Sequence, residues 1–322
     1  MEFHLESIPM KQVSAILTAY LGILSLLLFT GCEQPFLPET DDAFPDLVVE
    51  GYIEAGPDAR PPYVILTRTQ PFYGVFDSES LSGLFVHDAR VEVKSQNATF
   101  VLQEVCLTDL NPEIAQLLLS QFGIAEDSIA VDFCIYTDLS LALKGEIGLT
   151  YDLFIEAEGR VLSARTIIPE HVPIDSFRFV SPSASAPDSL KELRGWLTDP
   201  AGQPNYYRFM TRVGKAPWYP GLNSVVNDRF FDGGSFEFPI PKGEPIGADI
   251  DPATFGLFTM KDTLEVRWLS IDEQQYDFWN TLEFNTINQG PFSSYTRIDG
   301  NIEGGLGVWG GMSVSSYQLI VE

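Results

Sequence analysis

The chain has 322 residues, with 19 Lys and Arg set against 45 Asp and Glu for a formal charge of −26. A surface this acidic repels phosphate backbones, and no Lys/Arg cluster offsets it, so nucleic acid is excluded as a partner. Three cysteines and three histidines leave little material for a metal centre or a histidine-based catalytic site.

Ile16 to Phe29 form an almost uninterrupted apolar run, which suits the core of a secretory signal peptide and is short for a bilayer span. Lys11 supplies the basic end; Glu2 and Glu6 fit it poorly, so Met10 is read as the true start. Cys32 follows Leu28-Phe29-Thr30-Gly31, a run similar to a lipobox, where a small residue precedes the cysteine that is acylated after cleavage. Phe29 stands where that pattern favours Leu. An uncleaved anchor helix fits less well, because no basic cluster follows the run. The expectation is a signal peptide over residues 1–31, lipidation at Cys32 and a polar, Pro-containing tether over 32–45.

From Leu47 the chain alternates in short β-branched runs separated by Gly, Pro, Asp and Asn. Leu47–Ile53, Tyr63–Thr67, Ala89–Lys94, Phe100–Val105, Tyr151–Glu156 and Val161–Ile168 read as strands of an N-terminal β-sandwich over 46–169. An insert over 107–133 interrupts it. Asn111 can cap a helix there, Pro112 suits its first turn, Ile114, Leu117, Leu118 and Phe122 form an apolar face that seals a sheet edge or sandwich end, and Gly123 ends it. Cys106 and Cys134 flank the insert in a chain read as exported, and are expected to form a disulfide.

Pro169-Glu170-His171-Val172-Pro173 marks the boundary to a C-terminal β-rich domain over 170–322. Leu193–Thr198, Tyr206–Val213 and Asp262–Leu269 alternate like half-buried strands, and Val308–Val321 reads as closing strand. Ser270 and Glu273 have capping-box spacing before a helix over about 271–285, with Ile271, Phe278, Trp279 and Leu282 on its apolar side. The expected fold class is therefore mainly β: two β-sandwich-like (Ig-like) regions, with a short helical insert in the first and one longer helix in the second.

The blocks Asn205-Tyr206-Tyr207-Arg208-Phe209, Asn227-Asp228-Arg229-Phe230-Phe231-Asp232-Gly233, Ser270-Ile271-Asp272 before Tyr276-Asp277-Phe278, and Gly300-Asn301-Ile302 before Gly305-Leu306-Gly307-Val308-Trp309-Gly310 resemble the domain-of-unknown-function family 4249. The Leu47-Val48-Val49-Glu50-Gly51 opening and the Pro173-Ile174-Asp175-Ser176 junction extend the resemblance over the mature chain. It implies an outer-membrane lipoprotein of Bacteroidota, often encoded beside a TonB-dependent transporter. No catalytic residues come with it.

The motifs that suggest chemistry give way to simpler readings. Gly305-Leu306-Gly307-Val308-Trp309-Gly310 satisfies G-x-G-x-x-G, but only twelve residues follow it, too few for the helix, strand and ribose-binding acid of a dinucleotide fold. Tight backbone packing is expected there instead. His87 and His171 lack a G-x-S-x-G elbow to serve and read as surface or loop residues. Asp228, Asp232, Asp249 and Asp251 are close in sequence, as glycosidase carboxylates could be; turn and salt-bridge contacts explain Asp228-Arg229 and Asp232-Gly233 better, with Phe230 and Phe231 anchoring the loop. No metal or cofactor motif is present.

Aromatic residues crowd the second region: Tyr206, Tyr207, Trp218, Tyr219, Phe230, Phe231, Phe292, Tyr295 and Trp309. Trp218-Tyr219 lies between Pro217 and Pro220 and reads as a loop presented for binding a glycan, peptide or protein. Ser128 and Ser189 sit in Asp-Ser-apolar triplets similar to O-glycan acceptors, for which local turns are the simpler account. The functional expectation is a non-enzymatic outer-membrane lipoprotein, an accessory or ligand-capture component of a TonB-dependent transporter. The alternative is a structural or adhesive envelope module binding surface proteins or glycans.

Overall fold

The computed structural model describes residues 46–70, 83–116, 133–182, 187–245, 248, 251–287 and 297–322. The signal run, Cys32, the tether, Leu117, Leu118, Phe122, Gly123, Ser128, Asp249, Phe292 and Tyr295 lie outside them. The fold is mainly β, as the alternation predicts. The first half supplies β1 (Leu47–Ala55), β2 (Tyr63–Arg68), β3 (Arg90–Ser95), β4 (Ala98–Cys106), β5 (Cys134–Thr137), β6 (Thr150–Ala157) and β7 (Arg160–Ile167). The second supplies β8 (Ser176–Val180), β9 (Leu190–Thr198), β10 (Tyr206–Val213), β11 (Tyr219–Asn227), β12 (Ser235–Pro239), β13 (Phe258–Thr259), β14 (Thr263–Ile271) and β15 (Leu306–Ile320). A short helix, α1, covers residues 112–116, and α2 covers Glu273–Ile287.

Local chemistry sets the hairpins. The β6–β7 loop is Glu158-Gly159, both at positive φ (52° and 72°), the backbone that a two-residue hairpin turn needs to match strand twist. Cys106 and Cys134 lie directly opposite each other in the antiparallel β4–β5 ladder, and their sulfurs are bonded. The disulfide thus closes the base of the 107–133 insert. At the start of α1 the Asn111 Oδ1 accepts the Ile114 N–H at 3.0 Å, the expected cap. Ile114 itself is exposed and seals nothing.

Eleven strands form one sheet in the order β11-β10-β14-β15-β1-β2-β5-β4-β3-β6-β7, and β12, β9 and β13 form a second, with β8 paired to β9. The large sheet folds over because β4 changes partner along its length: Ala98–Leu102 pair with β3, and Gln103–Cys106 with β5. Its two arms enclose a core of Leu47, Val49, Ile53, Val64, Val91, Leu153, Ile155, Leu162 and Trp309. The small sheet covers the β10–β14 end through Leu193, Leu197, Tyr207, Phe209, Phe238, Phe258, Val266 and Trp268. Tyr207 stacks on Trp268 with centroids 5.1 Å apart.

The expected boundary at 169/170 falls between β7 and β8, yet the two halves are not separate bodies. Residues 45–322 form a single compact unit. The reason is β15, fifteen residues long. Its first part pairs in parallel with β1 (Val48↔Leu306 to Ala55↔Ser313), and its second part pairs antiparallel with β14 (Ile271↔Met312 to Thr263↔Ile320). The last strand of the chain therefore joins the first half to the second.

Close packing along β15 explains its glycines. Gly307 has φ +106°, and a Cβ there would lie 1.9 Å from the Val49 carbonyl oxygen. At Gly310 a Cβ would meet the Gln275 side chain at 2.2 Å. Both requirements are steric, which answers the G-x-G-x-x-G spacing without a nucleotide. The helix cap differs from expectation. Ser270 belongs to β14, and its Oγ accepts the Val172 N–H, while Asp272 caps α2 by accepting the Gln275 N–H at 2.8 Å. Because β14 runs to Ile271, a cap at Ser270 would fall inside the strand.

Candidate functional site

The outer face of β3, β6 and β7 carries a concave surface on which polar groups converge. Period-two alternation builds it. Val91, Val93, Tyr151, Leu153, Ile155, Leu162 and Ala164 turn inward and are buried, which sends Glu92, Lys94, Asp152, Phe154, Ser163 and Arg165 to the other face. A strap at 301–303 forms the wall. Glu303 donates its N–H to the Ser163 carbonyl at 2.8 Å and receives the Ser163 N–H at 3.1 Å. Asn301 substitutes for a strand partner of β15: its Oδ1 accepts the Trp309 N–H at 2.9 Å and its Nδ2 donates to the Trp309 carbonyl at 2.8 Å. The same Nδ2 reaches Gln274 Oε1 at 3.0 Å, tying the strap to the start of α2.

The resulting groove has a volume of about 720 Å³ and is lined by Glu92, Lys94, Thr99, Asp152, Phe154, Ser163, Arg165, Gln274, Asn301 and Glu303. Arg165 Nε donates to Asp152 Oδ1 at 2.6 Å, so one cation is already bound to a wall carboxylate. The groove offers planar amides, carboxylates, hydroxyls and one aromatic ring. That set suits a ligand rich in hydrogen-bonding groups more than an apolar one. A smaller depression of about 360 Å³ adjoins it, sharing Arg165 and Gln274 and reaching Asp272.

A second polar region lies on the opposite side of the central strands, beneath α2. Arg208 is buried, with its guanidinium 3.4 Å from the Trp279 ring centroid and its Nε donating to Ser224 Oγ at 3.1 Å. Ser224 gives its N–H and its hydroxyl to Glu283, at 2.8 and 2.5 Å. Burial pushes the Glu283 carboxyl up from its ordinary range, and Arg208 and Ser224 oppose that shift. Farther along β1, Glu54 binds Arg60 at 2.7 Å and also Arg267. Burial would raise the Glu54 carboxyl, but the two guanidiniums together hold it below the usual carboxylate value.

The Asp228–Gly233 turn gathers the other family residues. Asp228 Oδ2 accepts the Asn205 N–H at 2.7 Å, and Asp232 Oδ1 accepts the Gly202 N–H at 2.8 Å. Tyr207 donates its hydroxyl to Asp199 Oδ1 at 2.5 Å, and Tyr206 donates to Glu273 Oε1 at 3.0 Å. Carboxylate oxygens of Asp199, Asp228 and Asp232 lie within 4.8 Å of one another, the one carboxylate set among the described residues with spacing for a cation. Burial raises the Asp199 carboxyl and the charges of Asp228 and Asp232 raise it further, against hydrogen bonds from Tyr207 and Gly233. Asp251 makes local turn contacts to Ala253 and Thr254. His87 and Glu104 lie beside Cys106 and Cys134, but the bonded sulfurs are not available as ligands.

Two expectations for binding residues need correction. Trp218 is 7% exposed, with the Arg212 guanidinium 4.4 Å from its ring centroid, and Tyr219 opens β11 half-buried. Pro217 and Pro220 flank a strand entry, and a cation on the neighbouring strand covers the ring. The second correction concerns the turn at 228–233. Phe231 anchors it, stacked 4.3 Å from Phe236, whereas Phe230 is 94% exposed. Arg229 does not hold Asp228; Asn205 does. The groove residues and Asp199 have no signature as a site in the sequence because they converge only through long-range pairing; the outward alternation Glu92-Lys94 and Asp152-Phe154 is the one signal it offers.

A family model described as a domain of unknown function (DUF4249) matches residues 33–318. No curated protein matches the chain. With nearly nine-tenths of its length matched, the chain belongs to the DUF4249 family.

Proposed function

We propose that the chain is a lipid-anchored outer-membrane protein that takes up a polar ligand in the β3-β6-β7 groove and works, without catalysis, as an accessory of a TonB-dependent transporter. The observation that carries this reading is Cys32 behind Leu28-Phe29-Thr30-Gly31 at the end of an apolar run, with the family match starting at the next residue. Acylation would hold the protein on a leaflet, since each buried methylene contributes about 0.8 kcal/mol. The Cys106–Cys134 disulfide supports an oxidising compartment.

The test is metabolic labelling with an alkyne palmitate, followed by detergent purification of the tagged full chain. Label on the wild type that vanishes in Cys32→Ala, together with a stoichiometric barrel partner, is the expected result. Equal labelling of the variant would sink the anchor, and a consistently lone protein would sink the transporter association. A second reading, an adhesive or structural envelope module, is favoured by the open polar shape of the groove and gains if labelling succeeds while no barrel co-purifies.

A further inference from the structure

The floor of the β3-β6-β7 groove offers a ligand side chains and no backbone. β3 is paired on both sides, to β4 and β6, and β6 on both sides, to β3 and β7. The outer edge of β7 is covered by the strap. Glu303 exchanges both backbone hydrogen bonds with Ser163, and Asn301 Nδ2 reaches the Arg165 carbonyl at 3.4 Å. An extended peptide therefore finds no free edge in the floor at which to add as a strand, the mode in which main-chain bonds supply its affinity.

Charge narrows the chemistry further. Three lining carboxylates, Glu92, Asp152 and Glu303, stand with two lining cations, Lys94 and Arg165, and Arg90 adds a third cation by binding Glu92 at 2.7 Å. The groove is thus locally balanced in a chain that carries −26 overall. Arg165 is bound to Asp152 at 2.6 Å, so an anion would have to compete with a wall carboxylate, and a cation would meet Lys94 and two guanidiniums. A neutral ligand meets neither cost.

Strand register sets out what a neutral ligand would touch. Phe154, half-buried, is the one ring of the lining, and it stands in a row with Glu92 on β3 and Ser163 on β7. The next row holds Lys94, Asp152 and Arg165. Rows on one face lie about 7 Å apart and neighbouring strands about 5 Å apart. One sugar ring laid on Phe154 therefore has Glu92, Ser163 and the Asp152–Arg165 pair within reach of its hydroxyls, and Glu303, whose Oε2 accepts the Ser163 hydroxyl at 3.2 Å, adds an acceptor from the wall. Each sugar hydroxyl both donates and accepts, so carboxylate oxygens beside guanidinium N–H groups satisfy adjacent hydroxyls together. The C–H face of the ring would remove apolar surface of Phe154 from water. The volume of about 720 Å³ leaves room for more than one such ring.

We infer that the groove binds a neutral oligosaccharide, stacked on Phe154 and held by Glu92, Glu303 and the Asp152–Arg165 pair. The inference rests on the proposed function, to whose polar ligand it gives a chemical class.

The experiment titrates the purified full chain, in a detergent without a sugar headgroup, by calorimetry. The neutral probes are maltohexaose, cellohexaose, mannohexaose, xylohexaose and N-acetylchitohexaose; hexagalacturonate, glucosamine hexamer and a hexapeptide of glycine, serine and asparagine are the comparison probes. At least one neutral hexasaccharide is expected to bind, with a Kd that changes less than about twofold between about 50 and 500 mM NaCl. Phe154→Ala and Asp152→Ala should each weaken that binding about tenfold or more at an unchanged unfolding midpoint, and Phe154→Tyr, which keeps the ring, should retain it. Silence across the neutral probes, binding indifferent to Phe154→Ala, or preference for a comparison probe overturns the inference. A comparison probe that binds and is lost in Phe154→Ala keeps the groove of the proposed function and removes only the sugar. A hexasaccharide bound by a chain that recovers no barrel partner leaves this inference standing and sinks the transporter association.

Discussion

The two faces of β1 are both buried and are built from opposite materials. Leu47, Val49, Ile53 and Ala55 enter an apolar core shared with Trp309, and alternation turns Glu50, Tyr52 and Glu54 to the other side. There Tyr52 lies edge-on to Tyr63 at 5.7 Å, and Glu54 binds Arg60 and Arg267. The apolar face gains from area removed from water and tolerates changes that keep volume. The polar face gains only if every charge finds its partner, because desolvation of a buried ion offsets most of the Coulomb attraction. One strand thus carries a stabilising face and a specifying face. That contrast can be broken from either side.

The apolar face should give the largest effect. Trp309 is fully buried and also donates its indole N–H to the Tyr151 carbonyl at 3.1 Å. Trp309→Ala is expected to cost about 3–5 kcal/mol, read from denaturant midpoints. A loss under about 1 kcal/mol would mean that the folded-over arms do not depend on this ring.

The polar face should respond differently to single and paired changes. Arg267→Met leaves Glu54 with only Arg60 and is expected to cost about 2–3 kcal/mol, below the full cost of an unpaired buried charge because one partner remains. Adding Glu54→Leu should recover at least half of that loss, since no under-paired buried carboxylate then remains and Arg60 is partly exposed to solvent. If the double variant is as unstable as the sum of its parts, the ion cluster stabilises rather than specifies, and the contrast between the faces fails.

Smaller than the effect on either face is that of the joint that links α2 to the first half. Asp272 caps the helix and also receives the Thr166 hydroxyl, whose oxygen accepts the Gly311 N–H at 2.6 Å. Asp272→Ala should cost about 1–2 kcal/mol, with amide exchange rising first in the opening turn of α2. Exchange unchanged there would place the cap elsewhere.

Particular residues show what the sequence discloses and where it stops. Val91-Glu92-Val93-Lys94 and Tyr151 to Glu156 declare their strands through period-two alternation, and Cys106 and Cys134 declare a bridge by flanking an insert in a chain that reads as exported. Asn111 and the glycines of 305–310 announce local geometry, which is why those readings survive. The parallel β1–β15 pairing has no local signature, because its partners are more than 250 residues apart, as in Val48↔Leu306. The single sheet crossing the Pro169–Pro173 segment was invisible for that reason. The flanking prolines of Trp218 describe only the backbone, while its burial depends on Arg212 from the adjacent strand. Phe230 and Phe231 look alike in sequence, and only the ring column from Trp268 through Phe238 and Phe236 to Phe231 separates anchor from exposed side chain. The groove is least legible of all, since its wall depends on Asn301 finding Trp309 and on Glu303 finding Ser163.

The smallest expected effect is in pH dependence, where the polar elements should betray their cost. Burial raises the carboxyls of Glu50, Asp199, Asp272, Asp277 and Glu283 above their ordinary values. A raised carboxyl takes up its proton in the folded state first, so stability rises as pH falls from neutral toward the usual carboxylate range and gains nothing further below it. Glu54 and Asp138 run the other way. Arg60 and Arg267 outweigh burial at Glu54, and hydrogen bonds from Leu143 and Ser140 outweigh it at Asp138, so both are lowered. Their contribution is present above the usual carboxylate range and lost as pH falls through the lowered values. Burial also lowers His171, which opposes the rise from about pH 6.5 downward, as one group against five. Relief of the −26 charge acts in the same direction as the five raised acids. Unfolding free energy should therefore rise as pH falls from neutral toward the usual carboxylate range and fall again as pH drops through the lowered values of Glu54 and Asp138. In Asp199→Asn the amide can still accept the Gly233 N–H and donate to Tyr207, so the variant should keep its fold and lose part of the rise. A steady decline from pH 8 to pH 5 in the wild type would show that these buried carboxylates are stabilised as anions, and that the polar regions carry no desolvation cost to set against the apolar face.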